Sequence, residues 1–114
     1  MPRGATDELK AARVCAQKND WAGVRQHAGA AVRADDASYQ AQVLLALAET
    51  RLWDAARHPD GPPGAEAAYR RATELDSASP VAWKGLSELL CRLGPQRRAD
   101  AADATAELAA RLPH

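Results

Sequence analysis

A chain of 114 residues has room for one domain with a thin core. Its 15 Lys and Arg residues balance 15 Asp and Glu residues, so no net charge draws it to nucleic acid or to an anionic membrane, and no apolar run approaches the ~20 residues of a membrane span. Alanine makes up about a quarter of the sequence and Phe is absent, which favours helices. The two cysteines lie far apart in helix-like segments, so we expect a reducing compartment: the cytoplasm, with the nucleus as the alternative.

Turn-forming residues divide the chain into six predicted helices. Thr6 is expected to cap the first helix. Ser79 followed by Pro80 marks the start of the fifth, because a capping hydroxyl and a Pro at the first helical position suit a helix N-terminus. Pro and Gly interrupt 58–64 throughout and exclude a helix there. The predicted helices span about 6–18, 21–34, 38–57, 65–75, 80–93 and 96–112.

The chain also divides into three units with a similar pattern. With Ala5, Tyr39 and Pro80 as first positions, the units are 5–38, 39–79 and 80–113, and the middle unit is longer by about the size of the insert at 58–64. Small residues recur at two positions in the second helix of each unit, where two helices need room to approach closely. These residues are Val24, Ala65 and Ala99 at the first position, and Ala31, Ala72 and Ala106 at the second.

The segment AEAAYRRATELDSASPVAWKGLSELLCRLG, residues 65–94, resembles the tetratricopeptide repeat (TPR) family, which repeats every ~34 residues. The matching residues are Tyr69 and Ala72 in the second helix of one repeat, and Trp83, Leu86 and Gly94 in the next repeat. The resemblance implies an all-α domain over 5–113, arranged as a superhelix of three antiparallel helix pairs. It also implies a protein–protein interaction scaffold or adaptor.

A narrower resemblance covers nearly the whole chain. The stretch LKAARVCAQKNDWAGVRQHAGAAVRADDASYQAQVLLALAE, together with AEAAYRRATELDSASPVAWKGLSELL at 65–90, is similar to the opening repeats of the superkiller-complex scaffold family. That resemblance implies partners associated with an RNA helicase or the exosome in cytoplasmic RNA decay.

TPR co-chaperones are the alternative class, and they grip a terminal carboxylate with a clamp of Lys, Asn and Arg side chains. Four of the five matching residues here offer no side-chain donor, so we expect no such clamp: Leu9, Arg13, Leu44, Val81 and Gly85.

The TPR resemblance places the first helix of each pair along a concave groove that suits an extended or helical segment of a partner. The polar residues it directs into the groove are Arg13, Gln17, Gln40, Arg51, Lys84, Glu88 and Arg92. Their mixed polarity indicates a protein or peptide partner and no direct contact with nucleic acid. No Ser-His or Cys-His pairing, phosphate loop or metal-ligand spacing is present in the sequence, so we expect no catalytic residue, metal or cofactor.

Three surface features complete the predictions. The Arg70-Arg71 and Arg97-Arg98 clusters are flanked by acidic residues at helical reach, which indicates ion-paired surfaces rather than an RNA site. The insert at 58–64 is either a tolerated surface loop or the edge of a binding site. Because no further helix follows the sixth, Leu108 and Leu112 are expected to be uncovered, which indicates self-association, a C-terminal continuation or a partner seated on that end.

Overall fold

The computed structural model describes residues 4–112, and within that range the chain is all-helical with no strand. Six α-helices follow one another in the order α1 (Ala5–Gln17), α2 (Trp21–Ala34), α3 (Tyr39–Arg51), α4 (Ala65–Leu75), α5 (Pro80–Arg92) and α6 (Arg98–Arg111). One turn of 3-10 helix, Pro95–Arg97, precedes α6. The predicted all-α class and the absence of a helix at 58–64 are confirmed. Within the described residues, no helix is both long enough and apolar enough to cross a bilayer.

Side chains cap several helices as their residue types predict. The Asp20 carboxylate accepts a hydrogen bond of 3.1 Å from a backbone N–H in the first turn of α2. The Ser79 hydroxyl accepts one from the N–H of Val81 at 3.4 Å, with Pro80 as the first helical residue, as predicted. The predicted Thr6 cap is wrong: α1 already includes Ala5, so its cap position falls on a glycine with no side chain to offer.

Helix α3 ends six residues earlier than predicted, at Arg51 instead of residue 57. Asp54 explains the early end, because it organises a competing turn. Its backbone carbonyl accepts hydrogen bonds from the N–H groups of Arg57 and His58, at 3.1 and 2.9 Å. Its carboxylate also accepts from a backbone N–H two residues further on, at 3.0 Å. Local bonds of this kind offer the backbone an alternative to the helix.

Each helix packs against the next one in the chain, and α1 also touches α3, as α3 touches α5. This packing produces two apolar clusters. The first joins α1, α2 and α3 through Ala12, Val24, Ala28 and Ala48. The second joins α3 to α6 through Ala46, Ala65, Ala68, Tyr69, Leu86, Leu89, Leu90, Ala101 and Ala104. Because most of these residues are alanines, the helix backbones approach closely and little apolar bulk is buried.

The small residues expected between helices are buried in the first two units but not in the third. Ala99 and Ala106 are exposed, and Ala101 and Ala104 are buried in their place. The reason lies in the turn before α6. Five residues, 93–97, connect α5 to α6, whereas three residues, 18–20, connect α1 to α2. The two extra residues account for the shift of the first buried alanine of α6 from position 99 to position 101.

Candidate partner-binding face

All seven polar residues predicted for the groove are exposed, and they lie on α1, α3 and α5. We call this set the predicted face; it consists of Arg13, Gln17, Gln40, Arg51, Lys84, Glu88 and Arg92. The structure brings five of them into two cavities. Arg13 and Gln40 line one cavity, and Arg51, Glu88 and Arg92 line the other. Gln17 and Lys84 line neither.

The first cavity lies between α1 and α3 and is largely apolar. It is an open depression of about 260 Å³ and is lined by Arg13, Tyr39, Gln40, Val43 and Leu44. The two polar side chains can fix the direction of a bound segment, while Val43 and Leu44 offer apolar contact.

The second cavity, which we call the arginine cavity, lies between α3, α4 and α5. It encloses about 190 Å³ and is lined by Leu47, Thr50, Arg51, Tyr69, Gly85, Glu88, Leu89 and Arg92. It combines apolar walls with hydroxyl and charged groups, which is typical of a site that fixes the orientation of what it binds.

Tyr69 forms a wall of the arginine cavity because Gly85 makes room for its ring. A Cβ atom on Gly85 would lie 2.3 Å from Cε1 of Tyr69 and 2.9 Å from its hydroxyl oxygen, closer than any side chain tolerates. The ring is only 4% exposed. Burial raises the pKa of Tyr69 above 10.0 and outweighs the lowering influence of the nearby Thr50 hydroxyl. The hydroxyl is therefore a neutral donor and acceptor at physiological pH.

The two guanidinium groups of the arginine cavity each lie over a tryptophan ring. Arg51 Cζ lies 5.3 Å from the ring centroid of Trp21, and Arg92 Cζ lies 5.1 Å from that of Trp53. Such stacking fixes the plane of a guanidinium but leaves the N–H groups at its edge free to donate. Within residues 4–112 neither arginine forms an ion pair with an acidic side chain.

The sequence could not predict that these arginine and tryptophan side chains stack on one another. Trp21 and Arg51 belong to different helices and are 30 positions apart, so no helical spacing connects them. The stacking of Trp53 on Arg92 depends on where the chain turns after α3.

The insert at 58–64 is packed against the body of the protein. The Trp53 indole N–H donates to the carbonyl of His58 at 2.8 Å. Pro62 is buried. Gly61 has a φ of +122° and presses on Leu93, whose Cδ2 would lie 2.8 Å from an added Cβ. The insert is thus attached to the end of α5, beside Arg92.

The structure gives a second reason why the carboxylate clamp is not expected. Leu44 packs against the first apolar cluster. Gly85 lies beneath the Tyr69 ring, so a donor side chain at that position would collide with it. Of the five clamp positions, only Arg13 places an exposed donor side chain on the predicted face.

Three of the four arginines in the Arg70-Arg71 and Arg97-Arg98 clusters form ion pairs, as predicted. Arg97 donates twice to the Glu66 carboxylate, at 2.9 and 2.8 Å, and once to Asp100 at 2.9 Å. Arg70 also pairs with Glu66 at 2.9 Å, and Arg71 reaches Glu74 at 3.4 Å. The hydrogen bonds from Arg97 lower the pKa of Glu66 below 4.5, and they raise the pKa of Arg97. Arg98 forms no such pair within the described residues.

Comparison of the chain with known protein families, curated proteins and solved structures yields no match. Among residues 4–112, no group of three His, Cys, Asp or Glu side chains is arranged to hold a metal ion.

Proposed function

We propose that the chain is a protein-interaction module of the TPR type, covering 5–113, in which α1–α2, α3–α4 and α5–α6 form three antiparallel pairs of a superhelix. Three features of the packing support this. Consecutive helices contact one another, and every second helix from α1 to α5 touches the next such helix. The Tyr39 and Ser79 hydroxyls, which stand at or beside the first positions of successive units, are joined by a hydrogen bond of 2.7 Å.

The observation that carries the proposal is the pair of cavities on the predicted face. Both lie between successive odd-numbered helices and both combine apolar walls with polar groups. A polypeptide segment suits such a surface because its side chains can fill successive cavities while its backbone bonds to the polar groups between them. The role that we propose is binding and scaffolding, without catalysis or a cofactor.

Photo-crosslinking tests where a partner binds. A photoreactive residue at Gln40, on the predicted face, should crosslink to protein partners in a cytoplasmic lysate. The same residue at Gln26, which is exposed on α2, is the matched control and should not. Equal crosslinking from both positions, or none from Gln40, would contradict the proposed face.

The resemblance to superkiller-complex scaffolds leads us to propose a cytoplasmic adaptor role in exosome-linked RNA decay. Affinity capture with the wild-type chain should recover RNA helicase or exosome subunits. A variant with Gln40 and Lys84 both changed to Glu should lose them. Recovery of heat-shock proteins instead, with loss in the same variant, would favour a co-chaperone role.

Self-association through α6 is a further part of the proposal. Leu112, directly after α6, is 46% exposed, and Ala99, Ala102 and Ala106 are exposed on α6. Leu108, which was expected to be uncovered, is half-buried. Sedimentation velocity at several concentrations should show a species larger than the monomer that is lost in a Leu112→Lys variant. A monomer at every concentration would contradict it.

A further inference from the structure

We infer that the partner segment is acidic, and that a carboxylate of that segment is bound between Arg51 and Arg92 at the arginine cavity. This inference rests on the proposed function, since it names the chemistry of the partner at the same face.

Charge on the predicted face is the first argument. Four of its seven residues are basic and one, Glu88, is acidic, although the whole chain has no net charge. Opposite charge on the partner would be attracted to this face and would speed association, whereas a basic segment would be repelled from it.

The fixed positions of the two guanidinium groups are the second argument. Arg51 is held by Trp21 and Arg92 by Trp53, so little side-chain freedom remains to be lost when an anion binds. Their donors are not occupied by acidic side chains within residues 4–112. Two guanidinium groups lining one cavity can bind both oxygens of a carboxylate.

Glu88 lines the same cavity as the two arginines. Its negative charge weakens the attraction to any anion, but two guanidinium groups outnumber one carboxylate, so the charge of the lining still favours an anion. The cavity of about 190 Å³ has room for one side chain rather than a folded surface. These features favour an Asp or Glu side chain in an extended segment.

The insert at 58–64 has a role in this arrangement. The His58 carbonyl accepts a hydrogen bond from Trp53, and the Trp53 ring lies against Arg92. Trp53 is therefore a positioning residue for Arg92, and the insert is part of the binding edge rather than a loop without consequence.

Selection from a random peptide library on the wild-type chain tests the inference. Peptides enriched in Asp and Glu are the expected result. Neutral or basic peptides that compete with one another for the predicted face would overturn the inference and leave the proposed function standing. If no peptide is selected, both fail.

Variants then test the cavity, with the selected acidic peptide as probe and its Asn and Gln counterpart as control. Arg51→Gln and Arg92→Gln should each weaken binding by about tenfold. Arg33→Gln makes the same charge change at an exposed position on α2 and should have little effect. Glu88→Gln should strengthen binding several-fold. Equal losses in the Arg33, Arg51 and Arg92 variants, or binding of the amide counterpart as tight as the acidic peptide, would overturn the inference.

The Trp53→Leu variant shows whether Trp53 acts by positioning Arg92 or by stabilising the folded protein. We expect this variant to weaken the acidic peptide about threefold to tenfold, but not when Arg92 is already Gln, because the two residues act through the same contact. Thermal unfolding of the same proteins shows whether they are folded. Additive losses in the double variant would mean that Trp53 does not act through Arg92.

Discussion

At the scale of single residues, close packing between helices determines where the side chains of the arginine cavity lie. Tyr69 reaches the arginine cavity only because Gly85 has no side chain, and the two residues come from different helices, α4 and α5. The sequence predicts that Tyr69 is a packing residue, since it matches the repeat pattern. It does not predict that Gly85 contacts the Tyr69 ring, because a glycine inside a helix usually weakens the helix and indicates no specific contact.

Gly85→Ala should therefore destabilise the protein although alanine is the better helix former. We expect a loss of about 1–3 kcal/mol in the free energy of unfolding, because the new methyl group forces the Tyr69 ring to move. Gly29→Ala is the control: an added Cβ there would meet nothing closer than 3.5 Å, so this change should be neutral or stabilising. Urea denaturation measures both, and a stabilised Gly85→Ala protein would show that the ring can relax freely.

At the scale of helices, starts were predicted better than ends. The Ser79-Pro80 start is confirmed because a capping hydroxyl and Pro act locally. The predicted α3 extended beyond its true end at Arg51, because the turn formed by Asp54 depends on backbone hydrogen bonds that composition does not reveal. The register of α6 was wrong because the length of the preceding turn, 93–97, is set by how the helices meet.

The Glu66 ion pairs join α4 to the start of α6 and should make stability depend on pH. The lowered pKa of Glu66 means that its contribution is complete above pH 4.5 and is lost as the pH falls through the lowered value. Glu66→Gln should cost about 1 kcal/mol at pH 7, and its difference from wild type should shrink towards zero in acid.

Unfolding by urea at several pH values between neutral and acid measures this dependence. Glu74→Gln is the matched control, because Glu74 is 67% exposed in its side chain and its pair with Arg71 is longer, at 3.4 Å. It should differ little from wild type at any pH. A Glu66→Gln difference that stays constant into acid would contradict the assigned role.

At the scale of the whole molecule, the two apolar clusters are unequal. Three of the four largest fully buried side chains, Leu86, Leu89 and Leu90, lie on α5, whereas the first cluster has only Val24. Because buried apolar area sets much of the local stability, α5 should show the slowest amide hydrogen exchange, and α1 and α2 faster exchange. Equal protection in all six helices would indicate a single cooperative unit instead.

The sequence predicted the all-helical class, because alanine-rich composition and turn-forming residues act locally, but it did not predict which face of α6 is buried. The seven residues of the predicted face are all exposed, which agrees with what the repeat resemblance implied. The sequence did not predict the arginine cavity. Its two stacked guanidinium groups depend on contacts with Trp21 and Trp53, and those contacts exist only after α2, α3 and the insert have packed around α5.

The most direct test of the central claim is a titration of the chain with a selected peptide, followed by the amide chemical shifts of every residue. We expect the largest changes along the predicted face on α1, α3 and α5, centred on the residues of the arginine cavity. Changes confined to α2, α4 and α6 would show that this face is not where the protein binds its partner.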